Sequence, residues 1–389
     1  RILVRYTYNT LDWPVRLEYL HLGITWDFEH DNVGRLRREK CFGAVPSQPP
    51  VQSAGRGPGN ISAEGETAVI LLDDGPTVVN FYDYTYEYDD AGNRLSKRPT
   101  VGPPHPLLGS WTYTYDPGTN QLDTATPLSG DTVFHLYDDR GNLTQRNTGL
   151  IQETFTYDDE SHLIGYLKQD GGSATTPANF IYLYGPSGER VSVQNLTGTP
   201  TQEDWFAYDG ADTIADESRQ GSSGSLGLDS EYVNGLGIDR KVARFNASEP
   251  PQSPLSEVYY AKDAIGSHLR VLNARGGTVD TRATTAWGED IDQSPGSPAI
   301  ADRHGFTGRE QDEGSGLMHY RARAYDPSTG RFLQNDPILG NRASEHYAYA
   351  AGNPVSRTDP MGTDDGPAWW NQTKGWYPQN ATSGRILYL

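Results

Sequence analysis

Aromatic and polar residues alternate in short runs along the chain, and the runs are separated by Asp, Gly and Asn. Alternation with a period of two predicts strands that bury one face, and the Gly and Asn punctuation predicts tight turns between them. One pattern recurs: aromatic, any residue, aromatic, Asp, two residues, Gly, Asn or Arg, then Leu. Its fullest copy is Tyr86-Glu87-Tyr88-Asp89, closed by Gly92-Asn93-Arg94-Leu95. Weaker copies place the residue after the second aromatic at Asn9, Asp31, Asp116, Asp138, Asp158, Gly185 and Asp209. With Asp89 included, the spacings are 22, 58, 27, 22, 20, 27 and 24 residues, so a single gap is irregular. Self-similarity at this period is the signature of a repeat architecture.

Each residue type in the repeat has a physical task. Asp89 or Asp138 at the first corner accepts backbone N–H bonds, and Gly92 or Gly141 three residues later takes the left-handed conformation, giving a type I turn with a bulge. Asn93 and Asn142 tolerate the same turn. Tyr86 and Tyr88 share one face of a strand, and the Leu after the turn starts the return strand. A lone hairpin is marginal in water, so successive hairpins are expected to pair edge to edge in one coiled sheet, with aromatics of neighbouring turns stacked in a ladder. The fold class is therefore all-β. The irregular gap divides into a Pro, Gly and Ser-rich inserted loop over 41–66 and a hairpin formed by 68–72 and 78–79 around Asp74-Gly75. Residues 217–229 read as a Gly/Ser linker.

Composition narrows the function classes. The 51 acidic residues against 32 basic ones give a formal net charge of −19, which disfavours nucleic acid as a partner. The longest apolar run, 68–72, is far short of the roughly 20 residues of a membrane span. Cys41 is the single cysteine, so no intrachain disulfide or cysteine-rich metal module is available, and low cysteine is compatible with export. The first residues read as strand and not as a signal peptide, as expected of an interior or processed fragment. No His-Glu-x-x-His, Gly-x-Ser-x-Gly, phosphate-loop or dinucleotide pattern occurs, and no cofactor or metal is expected. Asp89-Asp90 and Asp138-Asp139 lack the dense oxygen spacing of a calcium loop and read as solvated turns. Six Asn-x-Ser/Thr sequences, at Asn60, Asn142, Asn195, Asn246, Asn371 and Asn380, are potential glycosylation acceptors.

These hairpins resemble the YD repeats of Rhs proteins, of the C subunits of bacterial ABC toxin complexes and of the teneurin ectodomain. The C-terminal third resembles the Rhs repeat-associated core. It has Tyr259-Tyr260-Ala261-Lys262-Asp263 running to Gly266-Ser267, then Trp287-Gly288-Glu289 and Phe306-Thr307-Gly308-Arg309-Glu310. Gly316 to Leu333, Asn335-Asp336-Pro337, Tyr347-Ala348-Tyr349, Gly352-Asn353-Pro354 and Thr358-Asp359-Pro360-Met361-Gly362 follow. The resemblance implies a repeat array over 1–255, a core over 256–362 and a variable aromatic tail over 363–389. It further implies a hollow shell wound from antiparallel strands, with the core curling in as a plug, further repeats upstream, and a secreted or cell-surface location.

In the toxin branch of the family, two aspartates act as an aspartic-protease-like pair that releases the C-terminal segment, with an arginine nearby. The matching residues are Asp336, Asp359 and Arg323. Two carboxylates forced together share one proton, so one could activate water while the other holds or protonates the scissile carbonyl; which does which stays open. The resemblance puts the cut within or just past Met361, Gly362, Thr363 and Asp364. Relatives have Leu after that Gly, and this chain has Thr363. Set against this, Asp-Pro is ordinary turn chemistry, as at Asp116-Pro117 and Asp326-Pro327.

Three readings follow: a shell that encloses the chain's own C-terminal segment as cargo and cleaves itself, a structural or adhesive surface module, and a carbohydrate-binding shell that presents surface aromatics to glycans or a cell surface. The 27 residues after Gly362 are too few for a folded domain.

Overall fold

The computed structural model describes residues 3–19, 23–44, 78–100, 105, 108–171, 177–221, 223–291, 302–312, 314–338, 346–363, 366–367 and 385–388. These residues form an all-β structure whose main sheet has 22 strands. Its plan is a meander: from Leu3–Tyr8 to Thr278–Thr281 every strand pairs antiparallel with its neighbours in sequence. The strand Arg385–Tyr388 adds on the outer side of Leu3–Tyr8. The described residues contain no α-helix, only the 3₁₀ turns Phe306–Gly308 and Ala350–Gly352. Among the described residues no helix is long and apolar enough to cross a membrane.

The corner of the Asp89 hairpin shows why the meander repeats. The Asp89 N–H donates to Asn93 O at 3.0 Å, and the Gly92 N–H donates to Asp89 O at 3.1 Å. Asp89 Oδ1 accepts the Asn93 N–H at 2.8 Å, while Gly92 sits at φ +87°, a conformation that favours glycine. Asn93 does more than tolerate the turn, since its Nδ2 donates back to Asp89 Oδ2 at 2.9 Å. The Asp138, Gly141 and Asn142 corner repeats this set. A register shift between Glu87 and Tyr88 marks the accompanying bulge.

The same pair of backbone bonds runs on past residue 255. It recurs at Asp263 with Gly266 and Ser267, at Asn273 with Gly276 and Gly277, at Thr285 with Gly288 and Glu289, and at Gly305 with Gly308 and Arg309. Residues 217–220 and 227–229, read above as linker, belong to the paired strands Asp212–Gln220 and Gly227–Asn234. Alternation, and not the Gly/Ser content, decides there. Cys41 to Ala44 likewise extend the strand Leu36–Ala44. The rest of the 41–66 loop, the proposed strand 68–72 and the Asp74-Gly75 turn lie outside the described residues.

Neighbouring turns are joined chiefly by tyrosine hydroxyls, and at one junction the His162 and Tyr184 rings also stack, with centroids 4.7 Å apart. Tyr88 Oη donates to Leu36 O at 2.7 Å, Tyr115 Oη to Arg94 O at 2.7 Å, and Tyr157 Oη to Leu143 O at 2.8 Å. Tyr184 Oη and Tyr208 Oη reach Leu163 O and Arg190 O at 3.0 and 2.8 Å. In each case the second aromatic of one repeat ties down the first residue of the return strand in the preceding hairpin. This explains the preference for Tyr over Phe at that position: the ring packs and the hydroxyl satisfies a carbonyl.

The sheet coils back on itself. Tyr6 Oη accepts the Ala264 N–H at 2.9 Å, across 258 residues of sequence. A cavity of about 310 Å³ is walled on one side by Tyr19, Trp26 and Phe28 and on the other by His268, Leu269 and Arg282. The segment after Thr281 packs into the concave face and is fastened there by buried charge. Lys97 Nζ donates to Glu289 Oε2 at 2.6 Å, Arg146 Nη1 to Asp326 Oδ2 at 2.8 Å, and Arg190 Nη2 to Glu310 Oε2 at 3.0 Å. Arg331 reaches Asn93 Oδ1 and Asn120 O, linking the segment to two repeat corners.

Candidate active site

A small sheet carries the site. The strands Glu310–Gln311, Met318–Tyr320, Arg323–Asp326 and Arg331–Phe332 pair antiparallel around Tyr320, Tyr325, Phe332 and Tyr349, all buried. Arg323 leaves this sheet at its first residue with its guanidinium over the Phe332 ring, 3.7 Å from the ring centroid. Asp336 follows two residues after the Gln334 whose side chain accepts the Ala324 N–H at 2.9 Å. Its backbone N–H donates to His346 O at 3.1 Å. Asp359 lies at the end of Arg357–Thr358.

The three residues singled out from sequence meet in space. Arg323 Nη2 lies 3.1 Å from Asp336 Oδ2 and 3.1 Å from Asp359 Oδ2. The two carboxylate oxygens are thus no more than 6.2 Å apart. The rest of the guanidinium is also engaged: Nη1 donates to His346 O at 3.1 Å and Nε donates to Gly362 O. The side chains of Arg323 and Asp359 are each 2% exposed, whereas that of Asp336 is 25% exposed. One face of the pair is sealed and the other is open to water. The guanidinium sits between the two carboxylates and offsets their mutual repulsion.

Asp359 is also a corner of the kind that builds the sheet. The Gly362 N–H donates to Asp359 O at 3.2 Å, the Thr363 N–H donates to Asp359 Oδ1 at 3.0 Å, and Gly362 has φ +67°. These match two of the three bonds of the Asp89 corner, with Thr363 in the place of Asn93. The difference lies in the second carboxylate oxygen: in the repeats it accepts from Asn93 or Asn142, and here it faces Arg323. Gly362 is fixed from outside too, since a Cβ there would lie 2.2 Å from Tyr320 O. Met361 is 45% exposed and its carbonyl accepts the Ala322 N–H at 3.2 Å. Asp364 lies outside the described residues, as do Trp369, Trp370, Trp376 and Tyr377 of the tail.

Sequence reasoning did not find Arg321, Arg309 and Asp239. Arg321 Nη2 donates to Ala211 O at 2.7 Å and to Asp239 Oδ1 at 2.8 Å, and its Nη1 reaches Pro360 O. Arg309 Nη1 donates to Asp239 Oδ1 at 2.6 Å. Burial would lift the Asp239 carboxyl, but Arg309 and Arg321 outweigh it and hold it below the usual carboxylate range. This trio anchors the 360–362 strap to the sheet. The one available signal was the alternation Arg321, Arg323 in a run of otherwise apolar residues.

No protein-family profile matches the chain. In sequence it is similar to a bacterial toxin and to a bacterial tRNA nuclease. It is 25% identical over 323 residues to double-stranded DNA deaminase toxin A of Burkholderia cenocepacia, covering 71% of this chain and 22% of that protein. It is 25% identical over 283 residues to the tRNA nuclease WapA of Bacillus subtilis, covering 71% of this chain and 11% of that protein. The chain thus spans less than a quarter of the length of either relative. Among solved structures, a crystal structure of TcdB2-TccC3 aligns with 93% of this chain and 20% of its own, with a TM-score of 0.43 and 19% identity.

Proposed function

We propose that this chain is the closing portion of a secreted β-shell that encloses the polypeptide C-terminal to it and releases that polypeptide by hydrolysis near Gly362. The observation that carries the reading is the single guanidinium of Arg323, which holds Asp336, Asp359 and the Gly362 carbonyl at once. A carboxylate open to water beside a fixed peptide strap is the arrangement that acid–base hydrolysis requires. The similarity to a much longer deaminase toxin and a much longer tRNA nuclease supports a role beside an effector segment. The aspartates are the proposed catalytic pair and Arg323 their partner. The domain limits 1–255, 256–362 and 363–389 remain part of this proposal, as does extracellular placement.

The test is direct. The chain is expressed with a reporter domain fused after Leu389, and the products are sized. Cleavage of the wild type but not of Asp336→Asn or Asp359→Asn supports the reading, and full-length product from all three rejects it.

A second reading has its own observation. Asp359 makes two of the corner bonds of the repeats, which is enough to explain the residue as structure in a stiff surface or adhesive module. In that case no variant changes the size of the product. Glycan binding by exposed aromatics such as Phe134, Tyr259 and Phe245 is the third reading, and a glycan array tests it.

A further inference from the structure

We infer that His268, Asp302 and His304 form an acid-sensitive fastener, which holds residues 302–311 against the wall of the sheet near neutral pH and loosens them below about pH 6. A few bonds attach the segment at this point. The His268 N–H donates to Gly305 O at 3.0 Å, and Arg282 donates to His304 O and Asp302 O, both at 2.6 Å. The Thr307 N–H donates to Ser267 Oγ at 3.0 Å. Among these bonds lie the imidazoles of His268 and His304, 0% and 1% exposed, and the Asp302 carboxylate, 1% exposed.

The cluster suits neutral rings. His268 stacks on Tyr260 with centroids 4.2 Å apart, and His304 meets Tyr232 edge-on at 5.1 Å. Neither nitrogen of His268 has a hydrogen-bond partner among the described residues, and His304 Nε2 has none either. Asp302 Oδ1 lies 3.3 Å from His304 Nδ1, and Oδ2 lies 3.7 Å from His268 Nδ1, so one carboxylate stands beside both rings. The other charges around the pair are mostly positive: Lys262 on the strand Glu257–Lys262, Lys241 and Arg244 on Lys241–Asn246, and Arg282 and Arg303. Of these, Arg282 is paired with Asp280, and Arg303 with Asp216 and Glu310. A proton on either ring would sit away from water among cations. Burial lowers His268 to about 4 against the pull of Asp302, with Lys262 and Arg282 adding to the lowering. Burial, Lys241 and Arg303 hold His304 well below the ordinary imidazole range. Once the segment opens, both rings titrate at about 6.5. The open state therefore binds the extra protons, so attachment is complete above about pH 6.5 and is lost progressively as pH falls toward about 4.

The experiment follows hydrogen exchange of peptides from 302–311 in the full chain at pH 7 and pH 5, corrected for the intrinsic exchange rate, in wild type, His268→Phe and His304→Gln. His268→Phe is conservative, because a ring without a hydrogen bond gives way to an apolar ring of similar size on Tyr260. Asp263 titrates in the opposite sense in all three proteins and so cancels from their ratios. Between pH 7 and pH 5 the opening constant of the segment should rise about 20-fold more in the wild type than in His268→Phe. His304→Gln should blunt the rise in the same direction, and it supplies the reading if His268→Phe does not fold. A substitution that changes exchange by the same factor at both pH values has removed packing alone, and that result overturns the inference.

Discussion

Asp263 offers a sharp test of the buried electrostatics. It is a half-buried repeat corner lining the cavity, where Oδ1 accepts the Ser267 N–H at 2.7 Å and the adjacent Ala264 N–H donates to Tyr6 Oη. Burial lifts its carboxyl to about 7, against the pull of backbone hydrogen bonds from Ser267, Gly266 and Ile265. In the unfolded chain it titrates near the ordinary value of about 3.9. Between those two values the folded state binds the extra proton. Its contribution is therefore complete below about pH 4 and is lost as pH rises through about 7. About three pH units correspond to an upper figure of about 4 kcal/mol. Asp263→Asn keeps the acceptor, as Asn9 and Asn273 demonstrate, and abolishes the titration. Equilibrium urea unfolding of both proteins from pH 4 to pH 8 is the assay. The wild type should lose about 4 kcal/mol relative to the variant over that range. Parallel curves would refute the claim that this carboxyl is buried and protonated in the fold.

Further outcomes are expected elsewhere. Lys97→Met leaves Glu289 buried without its cation and should cost about 3–5 kcal/mol, visible as a lower thermal midpoint. Restoring stability with Lys97→Met combined with Glu289→Leu would confirm that the lone charge causes the loss. Tyr157→Phe keeps the ring but removes the donor to Leu143 O and should cost about 1 kcal/mol by urea unfolding, and Tyr88→Phe should behave alike. Gly362→Ala combines a left-handed backbone with a contact on Tyr320 O. It should abolish the cleavage of the reporter fusion while leaving the main sheet's circular dichroism unchanged. Asp89→Ala should cost about 1 kcal/mol and Asp89→Asn much less, because Asn supplies the same acceptor.

The meander was legible because its information is local. Two alternating aromatics, an Asp and a Gly three residues on define strand, corner and return without reference to anything distant. Irregular spacing hid corners that use other residues: Thr285, whose hydroxyl accepts the Glu289 N–H, and Gly305 make the same backbone bonds without the Asp that marks the repeats. The Gly/Ser stretch after Gln220 misled for the opposite reason, since composition there suggested a linker while pairing with neighbouring strands kept its ends extended. At the candidate site, family resemblance named Asp336, Asp359 and Arg323. Their meeting depends on a fold that brings Arg357–Thr358 beside Arg323–Asp326, which no local pattern encodes. The partners of the strap, Asp239 with Arg309 and Arg321, lie 70 and 82 residues apart in sequence. Nothing short-range could have paired them.

The way each tyrosine hydroxyl hooks the preceding return strand bears on how such a molecule is made. Every ribbon needs only the one already laid down, so assembly can advance in step with synthesis or with passage through a narrow pore. The long-range anchors from Glu289 to Arg331 come last in that order. On the enclosure reading proposed above, any cargo must be in place before the final stretch locks against the wall.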